Sequence, residues 1–217
     1  MVPVKICGIT NPEDALACQR LGVAALGFVF AESKRRVTVE EVYRITGRLS
    51  PFIIKVGVFV DEDPLRIKEI MRDCRLDLAQ LHGNETPDDC EILEGRAIKV
   101  FRAGQDRSDS IWKGAALRGI LVDSYSAESA GGTGRTFDWE LVADYRGLGV
   151  PLILAGGLNP DNIEAAIRAV RPDGVDLSSG VERAPGVKDP DKVESLMSKI
   201  KGLKAVVRRQ ETEARRL

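Results

Sequence analysis

Short apolar runs alternate with amphipathic stretches from one end of the chain to the other. The runs are Val4–Cys7, Ala25–Phe30, Ile53–Val60, Leu78–Leu81, Ala97–Phe101, Gly119–Asp123, Pro151–Ala155 and Gly174–Leu177. Several are apolar without interruption, the pattern of a strand covered on both faces. The stretches between them begin with helix-start signals. Asn11-Pro12-Glu13-Asp14 offers an N-cap, a proline at the first helical position and acids in the first turn. Asn159-Pro160-Asp161-Asn162 repeats that device, and Thr86-Pro87-Asp88-Asp89 resembles it. Thr38 and Glu41 have the spacing of a capping box. The fifth helix, over Ser110–Ala116, carries the thinnest pattern.

Eight strand–helix pairs predict an α/β chain folded as a single-domain (β/α)8 TIM barrel. An open doubly wound sheet is the rival, but it would use fewer strands and open with a glycine fingerprint. The first turn, Cys7-Gly8-Ile9-Thr10, is no such fingerprint. Residues 1–203 are read as the catalytic barrel, and residues 204–217 as a charged C-terminal helical extension or tail.

The last two strands end alike. Leu152-Ile153-Leu154-Ala155 runs into Gly156-Gly157, and Gly174-Val175-Asp176-Leu177 runs into Ser178-Ser179-Gly180. Tiny side chains at a strand end expose backbone N–H groups and let an anion approach. Two such turns, on the last two strands, match the phosphate cup of a barrel. Gly156, Gly157, Ser178, Ser179 and Gly180 are therefore read as phosphate-binding, and the ligand as a small phosphorylated metabolite.

Composition narrows the classes. The 217 residues carry a formal net charge of −1, so no bulk field would recruit nucleic acid or an anionic membrane. No apolar run approaches the roughly 18 residues of a membrane span. The start, Met1–Ile6, turns polar too quickly for a signal peptide, and a cytoplasmic address is expected. The four cysteines, Cys7, Cys18, Cys74 and Cys90, form no C-x-x-C pair, and there is one histidine. A metal site is not expected.

Chemistry in a barrel sits where strands end. Cys7 ends strand 1, where either inert packing or a reactive thiol is open. Asp123 ends strand 6, as a turn-former or as a general acid. His82, after Gln80-Leu81, is a structural histidine or a substrate contact. Arg35 and Arg36 follow strand 2, as a surface pair or as a grip on a substrate carboxylate. Lys5 shares the inward face of strand 1 with Cys7, because strand side chains alternate. A buried ammonium needs a partner, and Asp176 on strand 8 is the candidate. Ala130-Gly131-Gly132-Thr133-Gly134 reads as a mobile lid, with Asp138 an N-cap after it.

These blocks resemble the phosphoribosylanthranilate isomerase family of tryptophan synthesis. The resemblance is carried by Val4–Thr10, by Gly27–Phe30 with Ser33-Lys34-Arg35, and by Val56–Phe59. Gln80–Gly83, Gly131–Gly134 before Phe137-Asp138-Trp139, Ala155–Leu158, Asp176–Glu182 and Pro185–Asp189 carry the rest. It spans about residues 3 to 203. It implies an Amadori rearrangement of N-(5-phosphoribosyl)anthranilate to the 1-deoxyribulose isomer, without cofactor or metal. By resemblance Cys7 is the general base, Asp123 the general acid and Arg35 a substrate contact; His82 and Asp176 are read as further substrate contacts. Arg36 stands where many relatives have an aromatic residue. The reaction needs a Cys7 thiolate, and neighbouring cations are expected to lower its pKa. A small phosphorylated substrate is the expected partner, and the chain a monomer or homodimer. The rivals are another phosphosugar barrel, such as indoleglycerol-phosphate synthase or ribulose-phosphate epimerase, and a non-catalytic phosphometabolite binder.

Overall fold

The apolar runs become eight parallel strands closed into a barrel, in chain order: β1 (Val4–Cys7), β2 (Ala25–Val29), β3 (Ile54–Phe59), β4 (Leu78–Leu81), β5 (Ala97–Arg102), β6 (Leu117–Asp123), β7 (Leu152–Ala155) and β8 (Gly174–Leu177). The computed structural model describes residues 1–104, 109–123, 142 and 144–214, with side chains described as far as residue 203. Closure comes from β1 pairing with β8, Val4 against Val175 and Lys5 against Asp176. The open-sheet alternative is thereby excluded.

The helices are α1 (Pro12–Leu21), α2 (Val39–Thr46), α3 (Pro64–Asp73), α4 (Pro87–Ile92), α5 (Asp109–Trp112), α6 (Ile163–Val170) and α7 (Pro190–Ala214). Most begin where the sequence signals them. The Asn11 side chain accepts the Asp14 N–H at 2.8 Å, with Pro12 in the first turn. Thr38 with Glu41 and Thr86 with Asp89 each form a reciprocal capping box. Asn159 differs. Its side chain accepts the N–H groups of Asp161 and Asn162, capping a turn that precedes α6, and the helix proper starts after Asn162. α5 is a single turn, pinned by Trp112 packed edge-on against Phe101. β6 starts two residues before the expected Gly119, where its pairing with β5 is irregular near Ala97. A hairpin of β9 (Glu182–Ala184) and β10 (Val187–Lys188) follows β8 before α7.

The larger core lies between barrel and helices, from Ile6, Leu26 and Phe28 to Leu196 and Ile200. A smaller one fills part of the barrel interior, with Ile98, Val100, Leu121 and Ala155. Polar side chains share the rest of the interior with Val56 and Val58: Lys5, Gln80 and Asp176 are all buried there or at its wall. Lys5 and Asp176 make the β1–β8 side charged. No helix among the described residues is long and apolar enough to cross a membrane.

Candidate active site

The C-terminal strand ends enclose a cavity of about 570 Å³. Cys7, Arg35, His82, Asp123, Gly156, Gly157, Asp176, Ser178 and Ser179 all line it. Thus one space collects nearly every residue singled out from the sequence. Gly180 lies just behind the wall. A Cβ there would drive into the Leu158 carbonyl, so the two glycine turns pack directly on each other.

Cys7 stands opposite Gly27 in the β1–β2 register. A Cβ at Gly27 would lie 2.8 Å from the Cys7 sulfur and 3.0 Å from Lys5 Nζ, so the missing side chain makes room for both. Lys5 donates to Asp176 Oδ2 at 2.9 Å, with both side chains buried. The pairing expected from strand alternation is therefore present. Burial disfavours the Lys5 ammonium, but the Asp176 carboxylate and the Cys7 sulfur outweigh it and raise its pKa. Burial also lifts the Asp176 carboxyl, with Lys5 pulling the other way.

The thiol departs from expectation. Burial pushes Cys7 above its ordinary value, and the Lys5 and Lys188 ammoniums oppose this without reversing it, while Asp176 adds to it. The expected net lowering by cations is corrected: Cys7 is a neutral thiol at neutral pH. Desolvation wins because the sulfur sits inside the barrel, where a lone thiolate loses its hydration.

Asp123 is half-buried at the end of β6, opposite Arg102 on one side and Ala155 on the other. His82 directly follows β4 and lines the same space. Burial lowers its pKa, Arg102 and Lys5 add to this, and Asp123 and Asp176 oppose it, so the imidazole is neutral at neutral pH. Among the described residues, Gln80 Oε1 and Asp176 Oδ1 are buried acceptors with no hydrogen-bond partner. Both side chains line the cavity, where a hydroxyl-bearing ligand would satisfy them.

The cup has the backbone that anion binding needs. Gly156 and Gly157 have φ of 100° and 60°, a region costly for any residue with a Cβ. Among the described residues, the N–H groups of Gly156, Gly157, Ser179 and Gly180 donate to no backbone acceptor. The Ser178 hydroxyl is turned to the protein and donates to the Cys7 carbonyl at 3.1 Å, while Ser179 is exposed at the rim. Ser178 thus ties the end of β8 to the end of β1.

Arg35 lines the cavity, whereas Arg36 is exposed outside it. The Arg35 guanidinium is already gripped: Nε and Nη2 donate to Glu182 at 2.8 and 2.6 Å. Its Nη1 hydrogens and one on Nη2 remain for a ligand. Sequence reading assigned no role to Gln80, Arg102, Glu182 or Lys188. Arg102 was passed over because strand 5 was ended at Phe101. Glu182 and Lys188 sit in a hairpin that has no periodicity to reveal their burial. The glycine segment 130–134 and Asp138 lie outside the described residues. Among the described residues no group of His, Cys, Asp and Glu could hold a metal ion.

A closed barrel with a thiol, a carboxyl, an arginine and two glycine turns at its C-terminal rim defines a class: (β/α)8 enzymes acting on small phosphorylated compounds. The profile of the N-(5'-phosphoribosyl)anthranilate (PRA) isomerase family matches residues 4–199. The chain is 48% identical over 202 residues to the N-(5'-phosphoribosyl)anthranilate isomerase of Trichlorobacter lovleyi, covering 93% of this chain and 98% of that one. It superposes with a TM-score of 0.81, at 42% identity and over 93% of this chain and 100% of the other, on a phosphoribosylanthranilate isomerase in complex with reduced 1-(o-carboxyphenylamino)-1-deoxyribulose 5-phosphate. A structure of monomers generated from the dimeric Thermotoga maritima isomerase gives 0.80 at 39% identity, with 93% and 100% covered. The chain belongs to the phosphoribosylanthranilate isomerase family. Its activity is an isomerase's, in tryptophan biosynthesis.

Proposed function

We propose that this chain converts N-(5-phosphoribosyl)anthranilate to 1-(2-carboxyphenylamino)-1-deoxyribulose 5-phosphate by general acid–base catalysis, with Asp123 as acid and Cys7 as base. The reading rests on one observation above the rest: Cys7 and Asp123 face the same cavity, between an anion cup and an available arginine edge.

Asp123 delivers a proton to the furanose ring oxygen as the C1–O bond breaks. The amine lone pair closes to an iminium. The Cys7 thiolate then takes the proton from C2, and the electrons of that bond neutralise the iminium. The resulting enol ketonises to the aminoketose. Atoms and electrons balance within the substrate, so the reaction calls for no cofactor. Its reactive form carries the proton on Asp123 and not on Cys7.

The phosphate sits on the N–H groups of Gly156, Gly157, Ser179 and Gly180, with Ser178 closing the cup. Gln80, His82 and Asp176 meet the sugar hydroxyls, an assignment supported by the two unpartnered acceptors. Arg35 meets the anthranilate carboxylate. The active species is a monomer or a homodimer in the cytoplasm, and it uses no nucleic-acid partner.

The experiment is substrate turnover, followed as loss of anthranilate-type fluorescence. Arg35→Ala should weaken kcat/KM for the natural substrate by about 1.5–3 kcal/mol, the worth of a charge-assisted hydrogen bond. It should cost an analogue lacking the carboxylate much less. Arg36→Ala should cost little with either. Equal losses for both substrates would remove Arg35 from carboxylate reading, and a larger loss at Arg36 would move that role one residue along.

A further inference from the structure

Glu182 is the first residue after the short turn Ser179–Val181 that carries part of the cup. Its two carboxylate oxygens are both committed. Oε1 accepts from Arg35 Nε at 2.8 Å and from Lys188 Nζ at 2.7 Å, and Oε2 accepts from Arg35 Nη2 at 2.6 Å. The Gly186 N–H adds a further donor to Oε1 at 3.2 Å. Lys188 is 1% exposed, and its ammonium also donates to the carbonyl of Cys7. The Arg35 stem runs over Gly8, where φ is +77° and a Cβ would collide with the Arg35 Cδ. So the arginine is seated on the backbone beside Cys7 and clamped by an acid that grows out of the phosphate cup.

A bare surface arginine samples many rotamers, and ordering it on ligand binding costs part of the affinity gained. A bidentate carboxylate removes that cost before the ligand arrives, and it also fixes the plane of the guanidinium. It occupies the Nε–Nη2 edge and leaves the other edge for a second carboxylate. Because Glu182 is chained to the cup through only one turn, the distance from cup to free guanidinium edge is set by a rigid unit.

We propose that Glu182 is a positioning and specificity-determining residue: by clamping Arg35 it fixes the span between the phosphate cup and the carboxylate-reading edge, so that the site selects ligands carrying two anionic groups at one separation. This rests on the assignment of the substrate carboxylate to Arg35. The ligands selected are phosphosugars with an N-aryl carboxylate, and those lacking the carboxylate are rejected.

The test uses two stable ligands, the reduced carboxyphenylamino-deoxyribulose phosphate and its counterpart without the carboxyl group. Their Kd values are measured by calorimetry. In the wild-type chain the ratio of the two should be large. Glu182→Asp keeps the charge and a partner for Lys188 but withdraws the carboxylate by one methylene, and it should cut that ratio at least tenfold, chiefly by weakening the carboxylate-bearing ligand. Glu182→Gln should do the same. Where the single change fails to fold because Lys188 loses its counterion, Glu182→Gln with Lys188→Met removes both charges and serves instead. In an Arg35→Ala background neither Glu182 change should alter the ratio further. An unchanged ratio in the folded Glu182 variants would overturn the inference, as would equal weakening of both ligands. If Arg35→Ala alone leaves the ratio untouched, the carboxylate assignment itself has failed, a distinct outcome.

Discussion

At the scale of single residues, the site is built from groups whose surroundings oppose one another. The Cys7 thiol is held neutral by burial despite two nearby ammoniums. Alkylation of Cys7 by iodoacetamide should therefore be slow at neutral pH. It should accelerate about tenfold per pH unit until the pH passes a pKa above the ordinary thiol range. Peptide mapping distinguishes it from Cys18, Cys74 and Cys90, which are also buried. Fast alkylation at pH 6 would mean a stable thiolate and would contradict the burial argument. Lys5 and Asp176 make the complementary case. Removing one partner leaves the other charged in the barrel, so Lys5→Met should cost about 3–5 kcal/mol of stability, and Lys5→Met with Asp176→Leu much less. Denaturant titration of the three chains checks this.

Residues of this kind divide sharply in how far the sequence discloses them. Cys7, Asp123 and His82 were legible because each ends or directly follows a strand, and Lys5–Asp176 because strand alternation puts both inside. The sign of the Cys7 shift was not. It depends on how completely the barrel excludes water around one sulfur, and no local pattern encodes that. Gln80 was visible in a strand, but its unpartnered oxygen is a property of the assembled floor.

At the scale of elements, the two glycine turns and the β9–β10 hairpin act as one unit. Gly157 has φ of 60°, and Gly180 faces the Leu158 carbonyl without room for a Cβ. Gly157→Val should therefore raise KM strongly and destabilise the turn, since a β-branched residue tolerates positive φ worst. A KM within twofold of wild type would remove Gly157 from the cup. The hairpin has its own signature in acid. Burial pushes the Glu182 carboxyl up, but Arg35 and Lys188 outweigh it and hold its pKa at about 2, from an ordinary 4.5. A carboxyl depressed on folding contributes stability that is complete above its unfolded value and lost as pH falls through its folded one. Stability of the wild-type chain should thus decline between about pH 4.5 and 2. Relative to it, the Glu182→Gln/Lys188→Met chain should show a flatter decline, measured by urea unfolding across that window. Helix starts were the most legible elements, because caps are local chemistry. The hairpin was the least, because its buried charges answer to residues far away, such as Asp14, whose carboxylate accepts the Lys188 N–H.

At the scale of the whole molecule, alternating strands and helices determine the closed barrel, and the closed barrel determines that eight strand ends meet in one cavity. The fold and the gathering of those residues in one cavity follow from the same periodicity, which is why both could be read ahead of the structure. All residues lining the cavity precede Gly180, and the family match ends at residue 199. The backbone of α7 nonetheless runs on to Ala214. A chain ending at Leu203 should keep its kcat/KM within twofold, and a larger loss would give the extension a part in the reaction.

The central claim is that Cys7 and Asp123 exchange protons with a substrate held between them. Single-turnover decay of substrate fluorescence in the wild-type chain, in Cys7→Ser and in Asp123→Asn tests it most directly. The account predicts that each substitution slows the chemical step by about 10²–10⁴-fold, the usual worth of general acid–base catalysis, with substrate binding little changed. A near wild-type rate in either variant, with the protein folded and saturated, would contradict it.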